Sequence, residues 1–432
     1  MIARLWSLAT LLRSERWPAD RIAAFQERRL VETLRHAVTS VPFYRRLHID
    51  PSSLESAADL ERFPVLEKAD VQRLGRQLLA DDVDPARCAV SRTSGSTGQP
   101  TETFFCARSW SLQKGPIKWR RTLTGGLAFP ERIAVVGEDA AHGYQPASAP
   151  WLPLSIRRLS VHQPMDQQIA QLSRWRPTTI YAYPSWYVEF LDLCERLDRP
   201  APAVRRLFTS SELLTPGTRA RIERGFSGAV FDVYGSTEFK EVAAECEHGC
   251  RHLIFESIFV ETLERAAAGS TPVLALTTLV NRAMPLLRYA IGDLGRLEPS
   301  ACPCGRASPV LKDLQGRIVE FLDCADGSRI SPYVASTIVE QHPAIARYQL
   351  LQSDPGSLLV RYVRRSGRTE EVPGDALGAR LNAVLGAGFR VGFEQADSLE
   401  RGARGKHRLL IRAGNAQSAG SPTTVAPIGI AP

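Results

Sequence analysis

The segment from residue 166 to 233 most constrains the fold, because helical and strand patterns alternate along it with short connections. This alternation is typical of a parallel sheet flanked by helices. The predicted helices cover 166–176, 185–197 (capped by Ser185) and 216–225, and the predicted strands cover 178–182, 204–209 and 229–233.

Two polar segments, Ser210-Ser-Glu212 and Tyr234-Gly-Ser-Thr-Glu238, directly follow predicted strands of this sheet. In an open parallel sheet, ligands bind beyond the carboxyl ends of the strands. We therefore expect a ligand site where these two segments meet.

The rest of the chain divides by pattern. At 432 residues it is too long for one compact domain. Residues 20–48 follow a helical period, 255–297 are rich in strand patterns, and 320–413 resemble a small α+β unit. Residues 414–432 are rich in Ala, Gly, Ser, Thr and Pro, have no periodicity and are predicted to be disordered.

A loop rich in hydroxyls and glycines follows the predicted strand at 88–91. Glycines let the backbone turn its N–H groups inward and hydroxyls add donors, so such a loop suits a polyphosphate. It is not a Walker loop, because no Gly-Lys-Ser/Thr closes it. An ordinary polar hairpin turn remains the alternative for the loop alone. Its residues are Ser94, Gly95, Ser96, Thr97 and Gly98.

Composition limits the partners. The net charge is +8, but no block of Lys and Arg is interleaved with aromatic residues, so nucleic-acid binding is disfavoured. The positive excess suits an anionic substrate such as ATP. The apolar run at 1–13 ends in Arg13 without a cleavage site, which favours an amphipathic helix over a signal peptide. With no membrane span expected either, we predict a cytoplasmic protein with reduced cysteines.

Clustered cysteines indicate a metal site. Cys246-Glu-His-Gly-Cys-Arg-His252 and Cys302-Pro-Cys304 offer enough thiolate and imidazole for a four-coordinate structural zinc. Spacing alone does not choose the ligands, and Cys250 and His248 are credible members. Reduced cysteines without metal are the alternative.

Five motifs in order resemble those of the adenylate-forming (acyl-activating) superfamily. They are Thr93-Ser-Gly-Ser-Thr-Gly-Gln-Pro-Thr101, Tyr234-Gly-Ser-Thr-Glu238, Arg288-Tyr-Ala-Ile-Gly-Asp293, Gly316-Arg317 and Arg404-Gly-Lys-His-Arg408. The resemblance is to the phenylacetate–CoA ligase-like branch, because Thr101 stands where most members carry Lys. Gln26-Glu-Arg-Arg, Val41-Pro-Phe-Tyr44 and Cys302-Pro-Cys-Gly-Arg306 indicate the same branch, and the resemblance covers residues 20–413.

The resemblance implies a role for each matching residue. The loop from Ser94 to Gly98 would hold the β- and γ-phosphates of ATP, Tyr234 would stack on adenine, and Thr237 would bind the α-phosphate. Glu238 would hold Mg²⁺, and Lys406 would donate to the carboxylate and the bridging phosphate oxygen. The remaining nucleotide-binding residues would be Ser211 and Glu212 (adenine edge), Gly235 and Ser236 (with Tyr234), and Asp293 and Arg317 (ribose). The zinc ligands would be Cys246, His252, Cys302 and Cys304.

The implied fold is α/β and multidomain. An N-terminal helical segment (1–50) would precede a large domain (51–317) with helix-flanked sheets and a strand-rich subdomain. A small mobile α+β C-terminal domain (318–413) and the disordered tail (414–432) would follow. In this superfamily the small domain rotates between two half-reactions. Val319 stands two residues after the hinge Arg, where Asp or Lys is usual. This departure puts the usual hinge, and so the standard rotation of the small domain, in doubt.

The implied activity is ATP- and Mg²⁺-dependent adenylation of a carboxylic acid, an aryl or arylacetic acid by preference, followed by transfer of the acyl group to CoA. Alternatives are an adenylating amide-bond ligase, an AMP-transferring synthetase and a nucleotide-binding regulator with a degenerate site. The expected partner is a small-molecule carboxylate, with a homodimer compatible with the resemblance.

Overall fold

The computed structural model describes residues 2–93, 101–124, 130–137, 154–264, 271–317, 321–327, 329–372, 374–386, 389–401 and 406–412. Within these ranges no helix is both long enough and apolar enough to cross a membrane. The helices are α1 Ile2–Ser14, α2 Ala19–Ser40, α3 Pro42–Arg45, α4 Lys68–Leu74, α5 Ala107–Lys114, α6 Pro116–Thr124, α7 Met165–Trp175, α8 Pro184–Arg196, α9 Pro216–Phe226, α10 Pro332–Val339 and α11 Gly374–Leu385.

The strands form four sheets among the described residues. They are β1 Ala89–Arg92, β2 Glu102–Phe105, β3 Glu131–Gly137, β4 Leu154–Ser160, β5 Thr179–Ala182, β6 Arg206–Ser210, β7 Ala229–Ser236, β8 Lys240–Glu245, β9 Arg251–Leu253, β10 Ile258–Leu263, β11 Val273–Thr278, β12 Tyr289–Glu298, β13 Val310–Arg317, β14 Leu322–Asp323, β15 Arg329–Ile330, β16 Ile345–Gln352, β17 Ser357–Arg364, β18 Arg390–Gln395 and β19 Leu410–Arg412.

The N-terminal helices form as the apolar spacing predicts. Leu30, Leu34 and Val38 are buried on one face of α2, where a 3.6-residue period places them together. Pro42 stops α2 and opens the short helix α3, because proline lacks the N–H that a continuing helix needs. Leu11 of α1 packs against Ile117 and Ile254, so the N-terminal segment folds onto the body as expected.

An eleven-stranded mixed sheet forms the main body. Its order is β10-β11-β12-β13-β9-β8-β7-β6-β5-β3-β4. Strands β4, β3, β5, β6 and β7 are parallel, whereas β7 and β8 pair antiparallel. The strand-rich segment predicted at 255–297 therefore continues the same sheet, and the predicted α/β class is confirmed.

The helices of the parallel half pack as predicted, with one local error. Trp186, Tyr187 and Phe190 of α8 share a core with residues of β5, β6 and α9. Ser185 was predicted to cap α8, but the N-cap residue is Tyr183 and Pro184 occupies the first turn. Proline at the first helical position already suits the helix start, which leaves the Ser185 hydroxyl for another partner.

The C-terminal part has its own apolar core. Strands β18, β17, β16 and β19 form a four-stranded sheet. Leu350, Val360 and Leu381 are fully buried in a cluster drawn entirely from residues 322–410. A separate core of this kind is typical of a unit that can move as a body.

We predict that Tyr187→Phe lowers the free energy of unfolding by about 1–2 kcal/mol, because it removes a buried donor from a carbonyl partner. The Tyr187 hydroxyl donates to the Ile180 carbonyl at 2.8 Å and lies 3.1 Å from the Phe208 carbonyl, inside a fully buried site. The measurement is denaturant unfolding. The control is Tyr333→Phe at a half-buried position, for which we expect less than about 0.5 kcal/mol. Equal effects in both variants would contradict this account.

Candidate active site

The candidate site begins where β7 outruns its parallel neighbour. The β6–β7 register ends at Ser210 and Val233. Beyond it, Tyr234, Gly235 and Ser236 pair only with β8. A Cβ on residue 235 would lie 2.2 Å from the Lys240 carbonyl oxygen, so only glycine permits this close approach. The Tyr-Gly-Ser motif is thus an extension of β7, whereas the sequence predicted that this strand ends at 233.

Tyr234 and Asp293 meet at this edge. The Tyr234 hydroxyl donates to Asp293 Oδ2 at 2.6 Å, and both side chains are buried. Asp293 lies on β12 and pairs in register with Arg317 of β13. The structure therefore brings together backbone positions 234, 293 and 317, which the sequence assigned to one nucleotide. The Arg317 side chain lies outside the described part.

Glu238 is a buried carboxylate with one oxygen to spare. Its Oε1 accepts a hydrogen bond from the Tyr289 hydroxyl at 3.2 Å. Its Oε2 is buried and has no hydrogen-bond partner among the described residues. An orphaned buried carboxylate oxygen is costly alone and is the ligand type that Mg²⁺ prefers. The residue therefore fits the predicted magnesium role.

The predicted phosphate loop, Ser94, Gly95, Ser96, Thr97 and Gly98, lies outside the described residues. The residues on either side are fixed, because Thr93 N–H donates to the Thr101 carbonyl at 3.0 Å and Thr101 N–H to Thr93 Oγ1 at 2.9 Å. Lys240 Nζ donates to Ser91 Oγ and, at 2.7 Å, to the Thr237 carbonyl. The strand leading into the loop is therefore tied to Thr237.

The loop carrying Lys406 reaches the same edge of the sheet. Lys406 Nζ lies 5.6 Å from the centroid of the Tyr183 ring, just after β5. The next residue, His407, donates its N–H to Glu212 Oε1 at 2.7 Å, just after β6. Burial lowers the pKa of His407 to about 4, so its ring is neutral at pH 7. Glu212 was assigned to the adenine edge, yet its carboxylate contacts this loop.

Three residues near the site have a strained backbone. Ser211, Lys240 and Arg288 all have left-handed φ angles, of 72°, 66° and 47°. Such conformations cost free energy in residues other than glycine and recur at functional sites. Ser211 is exposed beside Glu212, which leaves it accessible to a ligand.

Sequence reasoning did not assign four residues that complete the site. Tyr289 lay inside the motif 288–293, so its neighbours gave a signal for it. Lys240 follows the motif 234–238 by two positions. Tyr183 and Ser185 had no pattern that distinguishes them from the packing residues around them.

A second cluster lies along the same sheet. Ligand atoms of Cys246, His252, Cys302 and Cys304 all lie within 4.8 Å of one another. The Cys246 and Cys302 sulfurs are 3.6 Å apart, and Cys304 Sγ is 3.2 Å from His252 Nε2. Tetrahedral zinc with bonds of about 2.3 Å to sulfur separates its ligand atoms by about 3.5–3.8 Å. The four residues named from the sequence fit such a centre.

The surroundings of the cluster also fit a cation. His252 Nδ1 lies 3.1 Å from the Ser308 carbonyl, which directs Nε2 toward the sulfurs. The His248 and Arg306 N–H groups point at Cys246 and Cys304 sulfurs, at 3.4 and 3.5 Å. Neither Cys250 nor His248 belongs to the four-residue cluster in the described part. Burial raises the pKa of Cys246 to about 11, so a cation would be needed to hold its thiolate.

The C-terminal sheet docks on α8 and α9 through polar contacts. Glu340, at the end of α10, accepts hydrogen bonds from Thr215 Oγ1 at 2.6 Å and from Tyr348 at 2.9 Å. Arg221 Nη1 donates to the Ala346 carbonyl at 2.9 Å, and Arg347 pairs with Asp192 at 3.1 Å. A polar contact surface of this kind is compatible with separation of the two parts.

Comparison with known proteins gives consistent relatives, although no family model matches the chain. The phenylacetate–coenzyme A ligase of Aromatoleum evansii is 27% identical over 370 residues, covering 79% of this chain and 80% of the relative. A solved 2-hydroxyisobutyryl-CoA ligase in its postadenylation state has a TM-score of 0.80 at 21% identity, covering 94% of this chain and 92% of that one. The same ligase with CoA in the thioesterification state gives 0.64 at 22% identity, covering 93% and 91%.

The chain is therefore similar in sequence to a phenylacetate–coenzyme A ligase over 79% of its length, and similar in fold to a solved CoA ligase. These similarities confirm the resemblance to the phenylacetate–CoA ligase-like branch of the adenylate-forming superfamily that the sequence indicated. The TM-score is higher for the postadenylation structure of that ligase than for its thioesterification structure.

We predict that Gly217→Ala loosens the docking of the C-terminal sheet. A Cβ on residue 217 would lie 2.4 Å from Glu340 Oε2 and 3.0 Å from Glu340 Cβ, and relieving such overlap costs about 1–3 kcal/mol. The measurement is hydrogen–deuterium exchange, with faster exchange expected in α9 and α10.

The matched control is Gly378→Ala on α11, where the new Cβ meets only ordinary contacts at 3.8–3.9 Å. Ala is a better helix former, so this control should stabilise by about 0.5–1 kcal/mol. Unchanged exchange of α10 in Gly217→Ala would show that the docking contact is not where we place it.

Proposed function

We propose that this protein is an ATP-dependent, AMP-forming acid–thiol ligase. It joins a carboxylic acid to the α-phosphate of ATP, releases pyrophosphate and then passes the acyl group to CoA. The observation that supports it best is the pair of contacts that β12 makes at the end of the parallel strands: its Asp293 accepts from Tyr234, and its Tyr289 donates to Glu238. Tyr234, Glu238 and Asp293 are the chemical types that an adenine, a metal-bound phosphate and a ribose require.

Each residue would contribute positioning or charge. The Tyr234 ring stacks on adenine while its hydroxyl holds Asp293, whose carboxylate accepts the ribose hydroxyls. Thr237 binds the α-phosphate, and residues 94–98 hold the β- and γ-phosphates. Glu238 would hold Mg²⁺, which offsets charge on the phosphate oxygens when bound.

Lys406 supplies the charge at the reacting centre. The substrate carboxylate attacks the α-phosphorus in line, and negative charge grows on the oxygens that join the two. An ammonium group placed there stabilises this charge more in the transition state than in the ground state. Its place near Tyr183, beyond the end of β5, supports the assignment.

An aryl or arylacetic acid is the substrate class that we propose, supported by the name of the Aromatoleum evansii relative. We further propose that residues 318–413 act as the small mobile domain, supported by the separate core of the C-terminal sheet. A homodimer and a cytoplasmic location stay predictions; the eight cysteines are all free, which accords with a reducing compartment.

The test of the proposed function is a panel of carboxylic acids assayed for pyrophosphate release with ATP, with and without CoA. We expect an aryl or arylacetic acid to give turnover that depends on CoA, together with AMP and a thioester. Adenylation without thioester would assign the enzyme to amide formation or AMP transfer. ATP binding without turnover on any acid would contradict the proposal.

For Lys406→Ala we predict a loss of adenylation of about 10²–10³-fold, the usual cost of removing one preorganised charge donor. ATP affinity should change little, because Tyr234 and Asp293 hold the nucleoside. The measurement is acid-dependent ATP–pyrophosphate exchange beside nucleotide titration. Lys312→Ala is the control. Lys312 lies on β13, away from the site, where it pairs with Glu298 of β12. Near-normal exchange in Lys406→Ala would remove this residue from the mechanism.

We also propose that Cys246, His252, Cys302 and Cys304 bind a structural zinc ion. The cluster joins the end of β8, the strand β9 and the β12–β13 connection. With all four positions filled by protein atoms, such a centre is closed to substrate and serves the fold. Its contribution would be to hold β8 and β12 beside the nucleotide site.

Elemental analysis should find one zinc per chain, and chelation should lower the melting temperature, because metal binding stabilises only the folded state. Cys302→Ser should lose the metal, whereas Cys250→Ser should keep it, since Cys250 lies outside the cluster. Metal-free native protein, or equal loss in both variants, would refute this site.

A further inference from the structure

Glu212 joins the main sheet to the Lys406 loop. A residue that only lined the adenine would not need this contact. Its Oε1 accepts from the His407 N–H at 2.7 Å, across a sequence separation of 195 residues. The same carboxylate accepts from the Ser185 N–H and the Ser185 hydroxyl, both at 2.9 Å. Three donors therefore converge on one carboxylate.

The main body holds this carboxylate in place before the loop arrives. Ser185 lies in the first turn of α8, where free backbone N–H groups and the helix dipole favour an anion. The left-handed φ of 72° at Ser211 turns the chain after β6 so that Glu212 faces α8. Two of the three donors thus belong to the sheet side, and only the His407 N–H comes from the C-terminal part.

The hydrogen bond between Glu212 and His407 also positions Lys406, through the chain and through charge. His407 directly follows Lys406, so fixing the His407 N–H fixes the peptide that joins the two residues. The Lys406 ammonium is close enough to stabilise the Glu212 carboxylate, opposing the rise in its pKa that burial causes. Arg401 and His407 form an isolated antiparallel β-bridge, which places these two residues next to each other.

We propose that Glu212 is a positioning residue that anchors the Lys406 loop over the site for adenylation and releases it before thioester formation. This inference rests on the proposed function of Lys406. It replaces the adenine-edge role expected for Glu212 with a role in the first half-reaction. One charge-assisted hydrogen bond made in only one of two arrangements is enough to bias their populations.

The test is Glu212→Gln, which keeps the shape but replaces one accepting oxygen with an NH₂ group that opposes a donor. We expect adenylation to fall about tenfold or more, since a hydrogen bond to a charged acceptor is lost and a donor is opposed in its place. Thioester formation from chemically prepared acyl-adenylate and CoA should stay within about threefold, because that step does not use the anchored loop. The KM for ATP should change little.

A double-mutant cycle separates positioning from general damage. In a Lys406→Ala background, Glu212→Gln should cause no further loss of adenylation, because residues that act as one unit are not additive. Ser185→Ala is the matched control: it removes a bond to Glu212 but leaves His407 N–H in place, so we expect a smaller loss. Full additivity in the cycle would overturn the proposal.

A second readout does not depend on activity. The His407 amide should exchange with deuterium faster in Glu212→Gln than in the unsubstituted protein. If the unsubstituted protein turns over no acid, the proposed function fails, and this exchange still decides whether Glu212 anchors the loop. An active protein whose adenylation and His407 exchange are unchanged by Glu212→Gln contradicts the inference. A raised KM for ATP with unchanged kcat would return Glu212 to the adenine edge.

Discussion

The switch from parallel to antiparallel pairing at β7 is the constraint on which the candidate site depends. Parallel strands end together at one edge of a sheet, and ligands bind beyond that edge. The strand β7 continues past the end of β6, and its last residues pair only with the antiparallel strand β8. These residues therefore lie beyond the carboxyl end of β6, at this edge of the sheet. The antiparallel strands that follow then bring β12 and Asp293 to Tyr234. A buried hydrogen bond between them costs little, since each satisfies the other in a site that excludes water.

Much of this was predictable from the sequence, because the pattern of apolar residues follows the local backbone. The alternation at 166–233 predicted the parallel strands β5, β6 and β7 and the helices α7–α9, and proline at 216 marked the start of α9 correctly. The Ser185 cap was wrong, since Pro184 and Tyr183 already start α8. The predicted strand stopped at 233, because Gly and Ser normally weaken strands, whereas β7 continues to Ser236. The close approach of the Lys240 carbonyl explains the glycine at 235.

What the sequence did not provide are contacts between residues far apart in the chain. Spacing alone left Cys250 and His248 open as alternatives to the four zinc ligands that the resemblance named. The fold gathers those four, because β9 carries His252 beside the β12–β13 connection. The carboxylate of Glu212 reaches His407 only once the C-terminal sheet has docked. Tyr289 of β12 donates to Glu238, which lies in the turn between β7 and β8 and is distant from it in sequence. No local pattern carries such information.

The contact surface between the two parts of the molecule differs in chemistry from the core of either part. Each core is apolar and tightly buried, whereas the surface relies on Glu340, Arg221, Arg347 and Glu212. Hydrogen bonds exchange readily for water, and apolar burial does not. A polar contact between rigid bodies can therefore be broken and remade in a catalytic cycle, as two half-reactions at one nucleotide would require.

Hydrogen–deuterium exchange with and without saturating ATP and Mg²⁺ can show whether one nucleotide contacts all three segments, because it reports on every segment at once. We predict simultaneous slowing at 93–101, 234–238 and 289–293, with the strands β3 and β4 unchanged. Slowing at only one of these segments, or at a different edge of the sheet, would contradict a single nucleotide site at the end of β7.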